Sequence, residues 1–211
     1  TQVKAMTPTQ LNQLTAAQVT ALGDKIQHWS AAQLKALDDT KLAALDGDQV
    51  KVLTGTHLKA LTPDQISKLD KTAFAEVDST ALKALSAKQV GALTNDQIEA
   101  VGAKIADLSA VQVKGLTAAQ MTGLKADSIQ ALTADQLKVL SAAQVNAIDD
   151  AVFDKLNADT IAGLTTAQIQ GLSVDKVEKL TTDQVEKLSA AQLKIFSEDQ
   201  IKALGDKIAN I

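Results

Sequence analysis

The feature that most constrains this chain is an eight-residue period. Leu132 to Leu140, LTADQLKVL, shows one full cycle and the start of the next, and almost all of the sequence is this stretch rewritten. Internal self-similarity at a fixed period takes precedence over any single-domain reading of a chain. With the leading apolar residue as position one, octads begin at residues 6 and 14, at every eighth residue from 29 to 93, and at every eighth from 108 to 196, twenty-three in all. Seven-residue variants fill 22–28 (LGDKIQH), 101–107 (VGAKIAD) and 204–210 (LGDKIAN). The array is therefore read as one continuous domain over residues 1–211.

Positions one and six are apolar in every octad, and position two is Ser, Thr, Asp or Asn in all but one, where Lys125 stands. Position five is Gln in fifteen octads. It is replaced at Lys41, His57, Ala73, Ala81, Ser128, Val152, Thr160 and Lys176. Position eight is Ala or Gly in fourteen octads, and position seven is mostly polar, as a site facing solvent would be.

One long amphipathic helix does not fit this spacing. Eight residues at 100° each turn the apolar stripe by about 80° per repeat, so it would wrap around the cylinder and face no partner. Strand alternation fails as well, because a gap of five residues reverses faces under a period of two.

The unit fits a helix start. Ser or Thr followed three residues later by Gln is the capping box, in which the hydroxyl accepts a helical N–H and the Gln reaches back to the N–H of the cap. Positions one and six are then the two partners of a hydrophobic staple. Pro8 and Pro63 occupy the first helical position, where a missing N–H costs nothing. Asp at position four, as in Asp64 and Asp135, places negative charge at a helix N-terminus. These independent signals choose one frame: an all-α chain, a solenoid or superhelical coil of short capped helices, one per octad. Two buried aliphatics cannot offset the entropy of ordering eight residues, so neighbouring repeats must supply the difference. Positions one and six would line the interior, and two or three octads would make a superhelical turn. The heptads, with Gly23, Gly102 and Gly205 at the cap, read as phase corrections or as joints between super-repeats.

Composition narrows function mainly by exclusion. Aromatics are 2% of residues and the basic residues are all Lys, so the bidentate Arg reader of phosphate and guanine is missing. With a net charge of −4, nucleic acid is not an expected partner. There are no cysteines, and no apolar run approaches the roughly 18 residues of a membrane span. The chain starts Thr1-Gln2-Val3 without Met, which reads as part of something longer.

Individual candidates for chemistry dissolve into the repeat. His57 stands at a Gln position, and His28 precedes Trp29 in a heptad; neither is paired with a Ser or carboxylate as a nucleophilic triad requires. Asp38-Asp39 and Asp149-Asp150 are a cap and a first helical residue. Asp46-Gly47-Asp48 is the nearest approach to a calcium loop but lacks further ligands at the required spacing. Trp29 fills a leading apolar position and reads as core. A regular Thr array could order water, but capping competes for those hydroxyls. No catalytic, cofactor-binding or metal-ligating residue is expected, no cofactor is expected, and the chain reads as not an enzyme.

The octads LTAAQVTAL, LSAAQLKAL, LTPDQISKL and LTTDQVEKL resemble the L-[ST]-x-x-Q-[VIL]-x-x-L arrays of large, repetitive, adhesin-like bacterial surface or secreted proteins. The resemblance covers residues 6–211 and carries no catalytic residue. It implies a stalk, spacer or scaffold located outside a Gram-negative cell or on its surface. The alternative is a module that binds a protein or glycan through the superhelix surface.

Overall fold

The computed structural model describes residues 2–210, and among these the chain is all-helical with no strand. Every octad forms one α-helix of four to seven residues, and each heptad forms a 3-10 turn: Gly23–His28, Gly102–Asp107 and Gly205–Asn210. A further 3-10 turn, Gln2–Ala5, precedes the first octad. The chain divides into two compact units, Thr1–Val101 and Gly102–Ile211.

The local instruction read from the sequence is carried out. In the octad of Leu132, Thr133 is extended (φ −86°, ψ 160°) and its hydroxyl accepts the N–H of Gln136 at 3.2 Å. Gln136 Oε1 in turn accepts the N–H of Thr133 at 2.9 Å. The Leu137 N–H bonds the Thr133 carbonyl, and the N–H of Leu140 closes the segment on the Leu137 carbonyl. The next octad then begins with a new extended cap, Ser141. All the Gln octads form this reciprocal box. In the octad of Thr94 it is carried by the Thr94 and Gln97 bonds.

Positions one and six form the core, as expected: Leu58, Ile66, Leu137 and Ile169 at position six are fully buried, and Leu61, Leu140 and Leu172 at position one nearly so. Within each unit a helix packs against the third one after it. Ala31–Lys35 meets Gly55–Ala60, which meets Ser79–Lys83; in the second unit Ala134–Lys138 meets Ala158–Ile161, which meets Thr182–Glu186. The heptads keep this relation, since Gly23–His28 packs on Gly47–Lys51 and Gly102–Asp107 on Ala126–Ala131. A heptad thus counts as one repeat, shortened by one residue.

The small residues at position eight have a specific cause. Ala134 at position three faces Gly163 at position eight of a later octad, and a Cβ added at Gly163 would lie 2.9 Å from the Ala134 Cβ. Gly55 and Ala84 stand in the same relation, and a Cβ added at Gly55 would lie 2.6 Å from that of Ala84. Where position eight is large, as at Glu76, the facing position three is Gly47. At Gly47 the missing Cβ leaves room for the Glu76 side chain of the facing octad.

Candidate functional site

The most polar buried place in the molecule is position five, and here the structure adds what the sequence reading did not contain. Gln at this position is legible as half of a capping box; from Gln33 onward it is also buried or half-buried and serves as a clamp between facing repeats. Gln168 Nε2 donates to the carbonyl oxygens of Leu137 and Leu140, both at 2.7 Å, 31 and 28 residues earlier. Gln136 does the same to Ile105 and Leu108, Gln200 to Ile169 and Leu172, and Gln89 and Gln97 repeat it in the first unit. The nearer of the two carbonyls, that of Leu140 for Gln168, belongs to position one, which lies between two helices. Both amide protons and the amide oxygen are thereby used, so a group that would be costly to bury alone is satisfied.

The 22–28 heptad shortens this spacing by one. Gln33 Nε2 reaches the Met6 carbonyl at 2.6 Å, 27 residues back. The register is set by repeat count and not by residue count.

Replacements at position five follow the same logic. His57 Nδ1 accepts the Thr54 N–H at 3.1 Å, which leaves the ring proton on Nε2 to donate to the Trp29 carbonyl at 2.9 Å, 28 residues back. Thr160 Oγ1 donates to the Leu132 carbonyl at 3.1 Å. Lys176 Nζ donates to the Ile148 carbonyl and pairs with Asp150. It also lies 5.1 Å from the centre of the Phe153 ring. Lys41 Nζ turns instead to Asp38, at 2.5 Å.

A Lys cannot accept the N–H of the cap as Gln does, and in both Lys octads an Asn supplies the missing oxygen. Asn12 Oδ1 accepts the Asp38 N–H at 3.2 Å, and Asn146 Oδ1 accepts the Ser173 N–H at 3.0 Å. Each Asn also donates through Nδ2 to a position-eight carbonyl of the facing repeat, Ala36 and Gly171. Asn12 and Asn146 are the two Asn residues at position seven of the repeat. Thr20 and Thr122, also at position seven, bond the Ala44 and Ala147 carbonyls. Position seven is exposed at Asn12 and Thr122, as expected of a solvent-facing site, and half-buried at Thr20 and Asn146; all four side chains also bond a facing carbonyl.

Among the seven octads lacking both Gln and His at position five, five carry an Asp or Asn cap: Asp38, Asp70, Asp78, Asp149 and Asn157. An Asx carboxylate or amide oxygen reaches the second helical N–H directly, as Asp149 does to Ala151 at 2.8 Å, without the reciprocal partner. The octad of Leu124 departs furthest, with Lys125 giving no side-chain cap and the Ser128 hydroxyl buried without a partner. It packs on the heptad turn Gly102–Asp107.

The other residues singled out from the sequence fall into these roles. His28 is exposed at the end of a 3-10 turn, and Trp29 is core, with its indole N–H buried and unbonded. Asp46 closes a capping box with Gln49. Hydrogen bonding from Lys41 holds Asp38 below the ordinary carboxylate range, as that from Lys176 does for Asp150 and that from the Thr72 hydroxyl does for Asp70. Among the described residues no group of three or more His, Asp or Glu stands where it could hold a metal ion, and no helix is long and apolar enough to cross a membrane.

Open hollows lie among the described residues of the first unit. One of about 600 Å³ is lined by Ala31, Gly55, Thr56, Lys59, Ala60, Thr80 and Ala84. A second, of about 430 Å³, is lined by Asp46, Gly47, Asp48, Thr72 and Glu76, and a third, of about 290 Å³, lies over the Lys71–Asp96 pair. The first joins a neutral surface of small residues to one Lys; the second gathers carboxylates with a single hydroxyl.

No family model matches the chain, and no curated protein matches it.

Proposed function

We propose that this chain is a structural repeat module, a spacer or scaffold, and that it works as a solenoid of short capped helices. The observation that carries this reading is the clamp at position five. The same side chain joins its own helix start to carbonyls 28 and 31 residues earlier, as in Gln89, Gln136 and Gln168. On this reading facing helices stand three repeats apart, as Ala134–Lys138 and Ala158–Ile161 do. Nearest-neighbour contacts of this kind allow an array to be lengthened by adding repeats without a new core.

The reading assigns the polar side chains to the fold: Ser and Thr to caps, Gln to caps and clamps, Lys and Asn to the substituted clamps. It includes no enzymatic role. The resemblance of the octads to adhesin-like bacterial arrays supports a spacer on a cell surface or among secreted proteins.

A second reading, a module that binds a protein or glycan, is favoured by the hollow of about 600 Å³ beside Gly55 and Thr80. The two readings separate on surface substitution. Purified chain and a variant with Thr56, Lys59 and Thr80 all changed to Ala are screened against immobilised glycans and host-surface proteins. The spacer reading expects no saturable binding by either; saturable binding lost in the variant would replace it with the binding module.

A further inference from the structure

We propose that the first unit contains a built-in opening seam, where octads 69–76 and 77–84 face octads 45–52 and 53–60. These are consecutive octads with Ala at position five, Ala73 and Ala81, so two adjacent clamps are missing together. The carbonyls that Gln would reach 28 residues earlier belong to Leu45 and Leu53, residues only 1% and 3% exposed. Neither carbonyl receives a side-chain donor among the described residues, whereas Leu61 and Leu69 next along receive Gln89 and Gln97 at 2.8 and 2.7 Å. A buried carbonyl left without its donor raises the cost of staying closed and lowers the cost of meeting water.

Two further observations fall on the same seam. The open hollows of about 600 and 430 Å³ both take lining residues from its two sides, Gly55 and Thr80 in the first and Gly47 and Glu76 in the second. The second is rimmed by the carboxylates of Asp46, Asp48 and Glu76. Phe74, 1% exposed, fills the core beside Ala73 and keeps the seam dry when shut, but it offers no hydrogen bond. The remaining apolar position-five residue, Val152, is a contrast. It lies between clamped octads, with Gln144 donating to the Leu116 carbonyl before it and Thr160 to Leu132 after it.

The seam is thus a place where facing repeats part without loss of the helix caps on either side. In a spacer this gives extension or protease access at a defined point while neighbouring turns hold. The seam does not depend on the spacer reading, because it rests on the bonding within the unit alone.

Hydrogen exchange of the full chain, followed by mass spectrometry, tests it. Peptides covering 42–53 and 73–81 should exchange about tenfold or more faster than the clamped stretch 58–69. The variant Q89A/Q97A, which removes two adjacent clamps from that stretch, should bring 58–69 to the same fast exchange. Equal protection of 42–53 and 58–69 in the unaltered chain would overturn the proposal, as would unchanged protection of 58–69 in the variant. A parallel binding screen that found a ligand would overturn the spacer reading and leave the seam standing.

Discussion

Gln168 Nε2 lies 2.7 Å from the carbonyl oxygen of Leu140, 28 residues earlier in the chain. Such a contact does two jobs. It satisfies a carbonyl stranded between two short helices, and it fixes which repeat stands over which. Apolar packing of Leu and Val is not directional, so the polar contact is what holds the register.

The pairing of Asn146 with Lys176 gives a measurable coupling. Asn146 supplies the oxygen that the Ser173 N–H loses when Lys replaces Gln. Asn146→Ala should therefore destabilise the second unit by about 1–2 kcal/mol. In a Lys176→Gln background the same change should cost less by at least about 0.5 kcal/mol, because the Gln oxygen then accepts that N–H. Urea unfolding of the four proteins in the cycle reads the difference; equal costs in both backgrounds would separate the two residues.

Facing small residues should likewise be coupled. Gly163→Ala brings a methyl to 2.9 Å from the Ala134 Cβ and 3.1 Å from the Thr160 carbonyl. Overpacking of this kind costs about 1–3 kcal/mol. Ala134→Gly in the same chain should recover part of the loss in thermal unfolding, though Gly within a helix carries its own penalty.

Stability should fall in acid for an identifiable reason. Hydrogen bonds from Lys176 and Lys41 lower the carboxyl pKa values of Asp150 and Asp38. A carboxylate whose pKa is depressed on folding stabilises the fold above its unfolded value and loses that contribution as pH falls through the folded one. The stabilisation is complete at neutral pH and disappears below the ordinary value of 3.8. Asp150→Asn should flatten this part of the pH dependence, as read by unfolding midpoints between pH 7 and pH 2.5.

Much of the fold was legible because the octad writes it locally. Thr133, Gln136 and the staple of Leu132 with Leu137 identify a helix start without tertiary information. The Oε1 half of each Gln belongs to that local pattern and was readable. The Nε2 half was not, because its partners lie more than three octads away and the sequence carries no mark of which carbonyl will be overhead. A trace does exist in the exceptions. Asn stands at position seven only at Asn12 and Asn146, and Lys at position five only at Lys41 and Lys176, each Lys in the octad whose cap N–H one of those Asn residues bonds. That correlation encodes the spacing between facing repeats, and it becomes interpretable once the side chains are seen together. Position seven is solvent surface in most octads, as at Lys35, Lys51 and Thr122, and its bonds to facing carbonyls carry no mark in the sequence because every residue type has a carbonyl.

The most direct test of the central claim is the stability of Gln168→Glu at pH 7, measured by urea unfolding. Glu keeps the oxygen that accepts the Thr165 N–H and suits a capping box and helix N-terminus as well as Gln does. It loses both donors and sets a charged carboxylate against the Leu137 and Leu140 carbonyls. If Gln168 is a clamp, the variant should lose about 3 kcal/mol or more, with part of the loss recovered in acid as the carboxyl protonates and regains a donor. A variant as stable as the unaltered chain at pH 7 would reduce Gln168 to a helix cap and contradict the account.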